Sequence, residues 1–138
     1  MAKGNCSCGA VAFEVDEPLG PIYVCHCSIC RRSTGANGVA VLVVPKAQFR
    51  WTRGEEQVVD YRLPQAVRFG VAFCRRCGGS TPRVSKEIGR IVAPAGALDT
   101  DPGMRPIAHI FVGSKAPWFE ITDSVPQMEG APPLPTRR

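Results

Sequence analysis

Long hydrophobic runs are missing from this sequence. The longest wholly apolar run, Val39 to Val44, has six residues and stops at Pro45, so no segment can cross a bilayer as a helix. The first residues, Met1-Ala2-Lys3-Gly4-Asn5, contain no apolar stretch of the kind found in a secretory signal. We therefore expect a protein of the reducing cytoplasm that has no membrane partner.

Long helical windows are also absent. With 14 glycines and 13 prolines among 138 residues, the chain is interrupted too often to sustain them. Helical turns are expected only after Cys30 and around Lys46-Ala47-Gln48. The remaining short segments, which alternate or are rich in β-branched residues, predict strands and a mainly β fold with many corners. They are Ala10–Val15, Val39–Val44, Gln57–Arg62, Val67–Phe73, Arg83–Val84, Arg90–Pro94 and Ile107–Val112.

Length and composition fit a single domain. A hydrophobic content of 44% and a charged content of 21% are ordinary for a globular protein. The stretch from Pro126 to Arg138 holds four prolines and ends in two arginines. We therefore place the domain at residues 1–125 and expect residues 126–138 to form a poorly ordered, proline-rich tail.

Cysteines, by contrast, are abundant and clustered. Seven is an odd number, so disulfide pairing would leave one thiol over. A Cys-x-Cys pair also suits the narrow geometry of a disulfide poorly. Clustered thiols in a reducing compartment indicate metal binding, and thiolates in fours suit zinc or an iron–sulfur cluster. An iron–sulfur cluster usually takes its cysteines mainly from one run, so the split into three groups favours zinc. Iron stays the alternative. The three clusters are Cys6-Ser7-Cys8, Cys25-His26-Cys27-Ser28-Ile29-Cys30 and Cys74-Arg75-Arg76-Cys77.

Two of the clusters are simple pairs. Cys6 and Cys8 supply two ligands and Cys74 and Cys77 supply two more, which completes the four that a structural zinc site requires. Closing the long loop between the two pairs costs free energy that grows only logarithmically with its length. Structural zinc binding in small peptides is worth about 10–16 kcal/mol and exceeds that cost. We therefore expect a zinc ion that joins the start of the chain to its middle.

The remaining cluster offers three thiols. Cys25, Cys27 and Cys30 predict a second zinc site with a vacant fourth position, the arrangement of catalytic zinc sites. Two Zn²⁺ per chain are therefore expected. The alternative is that all seven cysteines are structural and that His26, His109 or a carboxylate completes the second site. No residue is a clear acid or base, since His26 is expected to turn away from the metal and His109 lies in an apolar strand.

The formal charge of +5 does not by itself predict a nucleic-acid partner, because zinc-bound thiolates would offset part of it. Arg31 and Arg32 directly follow Cys30, and two more arginines lie between Cys74 and Cys77. Such residues can balance thiolate charge. Arg31 and Arg32 can instead receive the carboxylates of an anionic thiol ligand through paired hydrogen bonds.

Several segments together resemble the glutathione-dependent formaldehyde-activating enzyme family, which includes domains of the centromere protein V type. The similarity runs in the same order over about residues 4 to 121. The segments are Cys6-Ser7-Cys8-Gly9-Ala10-Val11, Cys25-His26-Cys27-Ser28-Ile29-Cys30-Arg31-Arg32, Phe73-Cys74-Arg75-Arg76-Cys77-Gly78, Ala95-Gly96-Ala97-Leu98-Asp99 and His109-Ile110-Phe111-Val112-Gly113-Ser114-Lys115-Ala116-Pro117-Trp118.

The resemblance implies a β-tent of several short antiparallel sheets. It implies a carbon–sulfur lyase that condenses glutathione, or a similar small thiol, reversibly with formaldehyde or another small aldehyde. The alternative function is a zinc-stabilised binding or redox-sensing module without turnover. The resemblance also implies the metal ligands, which are Cys6, Cys8, Cys74 and Cys77 for a structural zinc and Cys25, Cys27 and Cys30 for a catalytic one.

Overall fold

The computed structural model describes residues 1–64 and 70–133. Within that part of the chain, helix α1 (Ser28–Thr34) is the one α-helix, and four 3₁₀ turns cover Lys46–Gln48, Glu55–Gln57, Ala95–Ala97 and Val112–Ser114. No helix there is both long and apolar enough to span a membrane. The strands are β1 (Ala2–Asn5), β2 (Ala12–Val15), β3 (Ile22–Cys25), β4 (Val39–Pro45), β5 (Phe49–Arg53), β6 (Val58–Arg62), β7 (Gly70–Cys74), β8 (Arg83–Ser85), β9 (Arg90–Pro94) and β10 (Ala108–Ile110).

The strands form three small sheets. One contains β1, β2 and β5, a second contains β10, β3, β4, β9 and β8 in that order, and the third is the hairpin of β6 and β7. Neighbouring strands are antiparallel except for β10, which runs parallel to β3. The prediction of a mainly β domain with several short antiparallel sheets is confirmed, and the parallel pair is an addition to it.

The strand β4 lies at the centre of the five-stranded sheet and is buried on both faces. Leu42 and Val44 are fully buried in a core that also contains Phe13. Val43 points to the opposite face and packs with Tyr23 and other residues of a second core. Burial on both faces explains why β4 is continuously apolar rather than alternating.

Most strand predictions are confirmed. The strand β9 has the predicted bounds, and β2, β4, β6, β8 and β10 overlap theirs closely. The predicted strand at 67–73 lies partly outside the described residues, and its described part belongs to β7. The strands β1, β3 and β5 are not predicted. The first two are only four residues long, and β3 is apolar throughout, whereas β5 alternates like the strands that are predicted. The helix α1 begins at Ser28, before the expected position after Cys30.

The segment that follows residue 125 differs from expectation. Backbone hydrogen bonds join His109 to Pro126 and Met128 at 2.8 Å each, and Phe111 to Gly130 at 3.0 Å. Residues 126–130 therefore continue the five-stranded sheet along β10 instead of forming a loose tail. Their backbone groups find partners there, which outweighs the tendency of a proline-rich segment to stay disordered. Residues 134–138 of the expected tail lie outside the described part.

Candidate metal centres and the adjoining cavity

The first site is a cluster of four cysteines, two from the start of the chain and two from its middle. Cys6 and Cys8 follow β1, while Cys74 ends β7 and Cys77 lies in the next turn. Their four Sγ atoms all lie within 4.8 Å of one another. These are the same four residues that the sequence pairs by spacing. Cys6 and Cys74 are buried, and Cys8 and Cys77 face solvent.

Both cysteine pairs lie in tight turns that close on a glycine. Gly9 has φ of 78° and Gly78 has φ of 75°, a left-handed conformation that other residues rarely adopt. In these turns the backbone N–H of Val11 approaches the Cys6 Sγ at 3.3 Å, and that of Gly79 approaches the Cys77 Sγ at 3.4 Å. Backbone donors aimed at sulfur stabilise the thiolate, the form of cysteine that binds a metal.

The pKa values of this cluster follow from those contacts. Hydrogen bonds from the backbone N–H groups of Gly79 and Cys8 lower the pKa of Cys77 to about 6. The backbone N–H of Ala10 acts to lower the pKa of Cys8, but desolvation and the neighbouring thiols raise it to about 11. The four thiols therefore do not ionise independently, because one thiolate is stabilised at the expense of the next.

The second site is a cluster of three cysteines at the start of α1. Cys25 ends β3, Cys27 is the N-cap of α1, and Cys30 lies in the first turn of that helix. The three Sγ atoms lie within 4.8 Å of one another. The Cys27 Sγ accepts a hydrogen bond from the Cys30 backbone N–H at 3.3 Å, as an N-cap side chain does. A metal ion held by this cluster would therefore share the Cys27 sulfur with the helix cap.

Within this cluster the negative charge settles on one thiol. The thiols of Cys25 and Cys30 donate to Cys27, and the backbone N–H groups of Cys30 and Ile29 add to their effect, which lowers the pKa of Cys27 to about 3. The same contacts, together with burial, raise the pKa of Cys25. Hydrogen bonding with Cys25 acts to lower the pKa of Cys30, but the Cys27 contact and desolvation raise it to about 12. A bound cation would let all three deprotonate.

No fourth ligand accompanies these three thiols among the residues that the structure describes. The two cysteine clusters are the only groups there of three or more metal-binding side chains in close contact. The alternative in which His26, His109 or a carboxylate completes the second site therefore finds no support in the described part of the chain.

The side chains of His26 and His109 contact each other rather than the thiols. The Nε2 atom of His26 lies 2.8 Å from the Nδ1 atom of His109, and the Nδ1 atom of His26 lies 3.2 Å from the carbonyl oxygen of Asn37. The Nε2 atom of His109 contacts the Asp123 carboxylate at 3.0 Å. Both histidines are buried. Gly38 makes room for the ring, since a Cβ there would lie 2.9 Å from the Cε1 atom of His26.

A cavity of about 120 Å³ lies against the three-cysteine cluster, and Cys25 and Cys30 form part of its wall. Arg83, the first residue of β8, is the charged residue in that wall. Arg31 instead donates from its Nε atom to the carbonyl oxygen of Ser114 at 3.1 Å, and Arg32 is exposed. Arg83 is not predicted as a site residue, because it lies far in the sequence from the three-cysteine cluster that it meets in the fold.

Two further residues, Asp99 and Trp118, come from the downstream segments that carry the family resemblance. Asp99 accepts a hydrogen bond from the Asn5 Nδ2 atom at 2.8 Å, and its backbone N–H bonds to the Lys3 carbonyl oxygen. It therefore joins β1 to the chain after β9, away from the three-cysteine cluster. Trp118 is 73% exposed and belongs to the surface rather than to the core.

Together, the fold and the two clusters define a class of protein: a small β domain with one complete and one incomplete set of thiol ligands. The chain belongs to the glutathione-dependent formaldehyde-activating enzyme family, whose model matches residues 1–114. The resemblance seen in the cysteine segments is thereby confirmed.

Two proteins illustrate what this chain is similar to. The chain is 32% identical over 130 residues to a Halomonas elongata protein named "Putative glutathione-dependent formaldehyde-activating enzyme", with 88% of this chain and 81% of that protein covered. It also resembles a Rhodobacter sphaeroides protein of known crystal structure, with a TM-score of 0.58 and 29% identity. That comparison covers 75% of this chain and 91% of the other.

Proposed function

We propose that this protein is a zinc-dependent carbon–sulfur lyase of the cytoplasm. It would bind a small thiol such as glutathione and condense it reversibly with formaldehyde or a related small aldehyde. Family membership supports the reaction class. The observation that carries the proposal is the position of Cys25 and Cys30 in the wall of a cavity, because a cluster with three ligands and open space beside it can admit a substrate.

The donor sets fit zinc. Each cluster offers only thiol sulfurs within 4.8 Å of one another, and soft thiolates are ligands that zinc prefers. We assign a catalytic zinc to Cys25, Cys27 and Cys30. When bound there, zinc supplies a coordination position at which an incoming thiol becomes a thiolate. A structural zinc is assigned to the four-cysteine cluster, whose members are Cys6, Cys8, Cys74 and Cys77.

The side chains around the three-cysteine cluster have separate tasks in this proposal. Cys25 and Cys30 present their face of the cluster to the cavity, and Cys27 fixes the cluster to α1 through its cap. Arg31 and Arg32 remain our candidates for the carboxylates of the thiol, since both lie in the last turn of α1. Their positive charge there also complements the negative end of the helix.

The test is glutathione-dependent exchange of formaldehyde, followed by NMR exchange spectroscopy. We expect the wild-type protein to accelerate exchange above the spontaneous rate. Cys27→Ser should abolish the acceleration and lower the metal content by one ion per chain, because serine is a poor zinc ligand. Ser28→Ala is the matched control, since Ser28 adjoins Cys27 in α1 and carries no thiol. Wild-type exchange at the spontaneous rate with every common thiol would refute the lyase activity.

A redox-sensing module without turnover is the second candidate function. It is favoured by one observation, namely that all four ring nitrogens of the two histidines already have partners. His26 and His109 contact each other, His26 also contacts Asn37, and His109 also contacts Asp123. Neither histidine is thus free to act as a general base. A sensor should release one zinc ion reversibly when treated with peroxide, without any effect of aldehyde. An enzyme should retain its zinc during turnover.

A further inference from the structure

The cavity beside the three-cysteine cluster is lined mainly by apolar side chains. Its walls come from β3, β4, β9 and β10 on one side and from the turn after β8 on the other. At about 120 Å³ it is several times larger than the roughly 30 Å³ that a water molecule occupies in the liquid. Formaldehyde, which has two heavy atoms, would leave most of it unfilled. Its apolar lining residues include Tyr23, Val41, Val43, Ile88, Val92 and Ile110.

Part of the wall comes from outside the family match. Ala131, Pro132 and Pro133 line the same cavity, whereas the family model ends at residue 114. The segment reaches this place because residues 126–130 are hydrogen-bonded along β10. This part of the cavity wall therefore lies outside the residues that the family model matches.

The tripeptide glutathione does not fit this space. It carries two carboxylates and an ammonium group, and burial of such charges without partners costs far more than an apolar contact returns. The glutathione body must therefore lie outside the cavity, on the solvent side of the cysteines. The cavity is therefore available to the aldehyde.

Arg83 is the exception to the apolar lining. It is partly buried, and its guanidinium group makes no hydrogen bond or ion pair with any residue that the structure describes. Arg83 and Cys30 line the same cavity and also a second, smaller space, which places the two side chains near each other. On the other side of Cys30 and Arg83, a smaller space of about 70 Å³ contains the buried Thr81. The hydroxyl of Thr81 also has no partner among the described residues.

We propose that the cavity holds the hydrocarbon body of an aldehyde larger than formaldehyde, with about four to six heavy atoms, while Arg83 donates a hydrogen bond to its carbonyl oxygen. The size follows by comparison with cavities of about 150 Å³, which bind benzene. An uncharged carbonyl is favoured over a carboxylate because the thiolates beside Arg83 already supply negative charge. This inference rests on the proposed lyase activity for its reaction, but not for the binding of the carbonyl compound.

The reaction then balances without any further reactant. The thiol sulfur forms a bond to the carbonyl carbon, and the π electron pair of the C=O bond moves to the oxygen. That oxygen takes up the proton that the thiol has lost, giving a hemithioacetal. Arg83 is placed to stabilise the negative charge that develops on the oxygen, and a donor preorganised in this way contributes directly to the rate.

The first experiment measures exchange of glutathione with formaldehyde, propanal, butanal and hexanal, each as the ratio of the catalysed to the spontaneous rate. Each methylene moved into the cavity should raise this ratio about fourfold. Butanal, which has three more carbons, should therefore exceed formaldehyde by about sixtyfold on the same basis. Ile88→Trp fills the cavity and should remove this preference. Val84→Trp, an exposed change on β8, is the matched control.

The second experiment measures binding without chemistry. Butyramide is an unreactive uncharged carbonyl compound, and its binding to the zinc-loaded protein is followed by NMR chemical shifts. We expect saturable shifts at residues of the cavity that Ile88→Trp abolishes and Arg83→Met weakens by about tenfold, the value of a hydrogen bond to a charged group. Arg83→Lys should restore part of the binding because it keeps a charged donor. Butyrate should bind more weakly than butyramide.

The outcomes separate the two proposals. Formaldehyde exchange without a chain-length preference, combined with no butyramide binding, would overturn the cavity assignment and leave the lyase activity intact. Butyramide binding that is lost in Ile88→Trp, but without exchange for any aldehyde, would support the cavity ligand and refute the lyase. Butyrate binding more tightly than butyramide would overturn the choice of an uncharged carbonyl group.

Discussion

The buried pair of His26 and His109 illustrates how hydrogen-bond partners decide the state of a side chain. The carbonyl oxygen of Asn37 and the carboxylate of Asp123 both accept, so the ring nitrogens that face them must both donate. The Nε2 atom of His26 and the Nδ1 atom of His109 lie 2.8 Å apart, so one of them carries the proton that joins the two rings. Burial lowers the pKa of His26, and the Asp123 carboxylate lies 3.0 Å from the Nε2 atom of His109.

Asp123→Asn tests this arrangement at the scale of one residue. The hydrogen bond from His109 lowers the pKa of Asp123, with the Val125 backbone N–H acting in the same direction. A carboxyl group whose pKa is depressed on folding stabilises the protein above its unfolded pKa and loses that effect as pH falls through its folded pKa. The variant should therefore be less stable than the wild type near neutral pH, with a difference that shrinks in acid. Urea unfolding at a series of pH values measures it.

A double-mutant cycle with His109→Gln provides the control for that prediction. If the contact with His109 is what lowers the pKa of Asp123, the Asp123→Asn change should lose most of its pH-dependent effect in the His109→Gln background. An effect of the same size in both backgrounds would show that the carboxylate acts on another group, such as the Val125 backbone.

At the scale of elements, the helix α1 depends on a sulfur atom that we also assign to zinc. Cys27→Ser should keep the cap of α1 because serine is a favoured N-cap residue, whereas Cys27→Ala should lose it. Both variants should lose one metal ion per chain. Cys27→Ala should in addition be less stable by about 1 kcal/mol, as measured by denaturant unfolding. Equal stabilities would mean that the cap contributes little to this short helix.

The elements also show what the sequence can predict and what it cannot. The continuous run of β4 indicates a strand buried on both faces, and the Cys-x-Cys and Cys-x-x-Cys spacing indicates which thiols meet. Neither pattern contains the parallel pairing of β10 with β3, because that depends on a long-range contact. The cavity is a further such case, since β8 and residues 131–133 reach it only through tertiary structure. Arg83 thus looks ordinary in the sequence.

At the scale of the whole molecule, the two cysteine clusters connect different parts of the fold. The four-cysteine cluster joins the end of β1 in the three-stranded sheet to the end of β7 in the two-stranded sheet, with a sequence separation of 66 between Cys8 and Cys74. The three-cysteine cluster lies within the five-stranded sheet and the helix that follows β3. Loss of the first cluster therefore separates sheets, whereas loss of the second opens only a local site.

Cys74→Ala and Cys30→Ala compare these two losses directly. Cys74 is fully buried, and a structural zinc ion is worth on the order of 10 kcal/mol, which is comparable to the entire stability of a small domain. We therefore expect Cys74→Ala to unfold or aggregate. Cys30→Ala should give a soluble, folded protein with one zinc ion fewer, since its sulfur faces a cavity. Circular dichroism, size-exclusion chromatography and metal analysis distinguish the two variants. Equal damage from both would mean that the three-cysteine cluster also holds the fold together, and its open position would then have to be reassigned to a structural role.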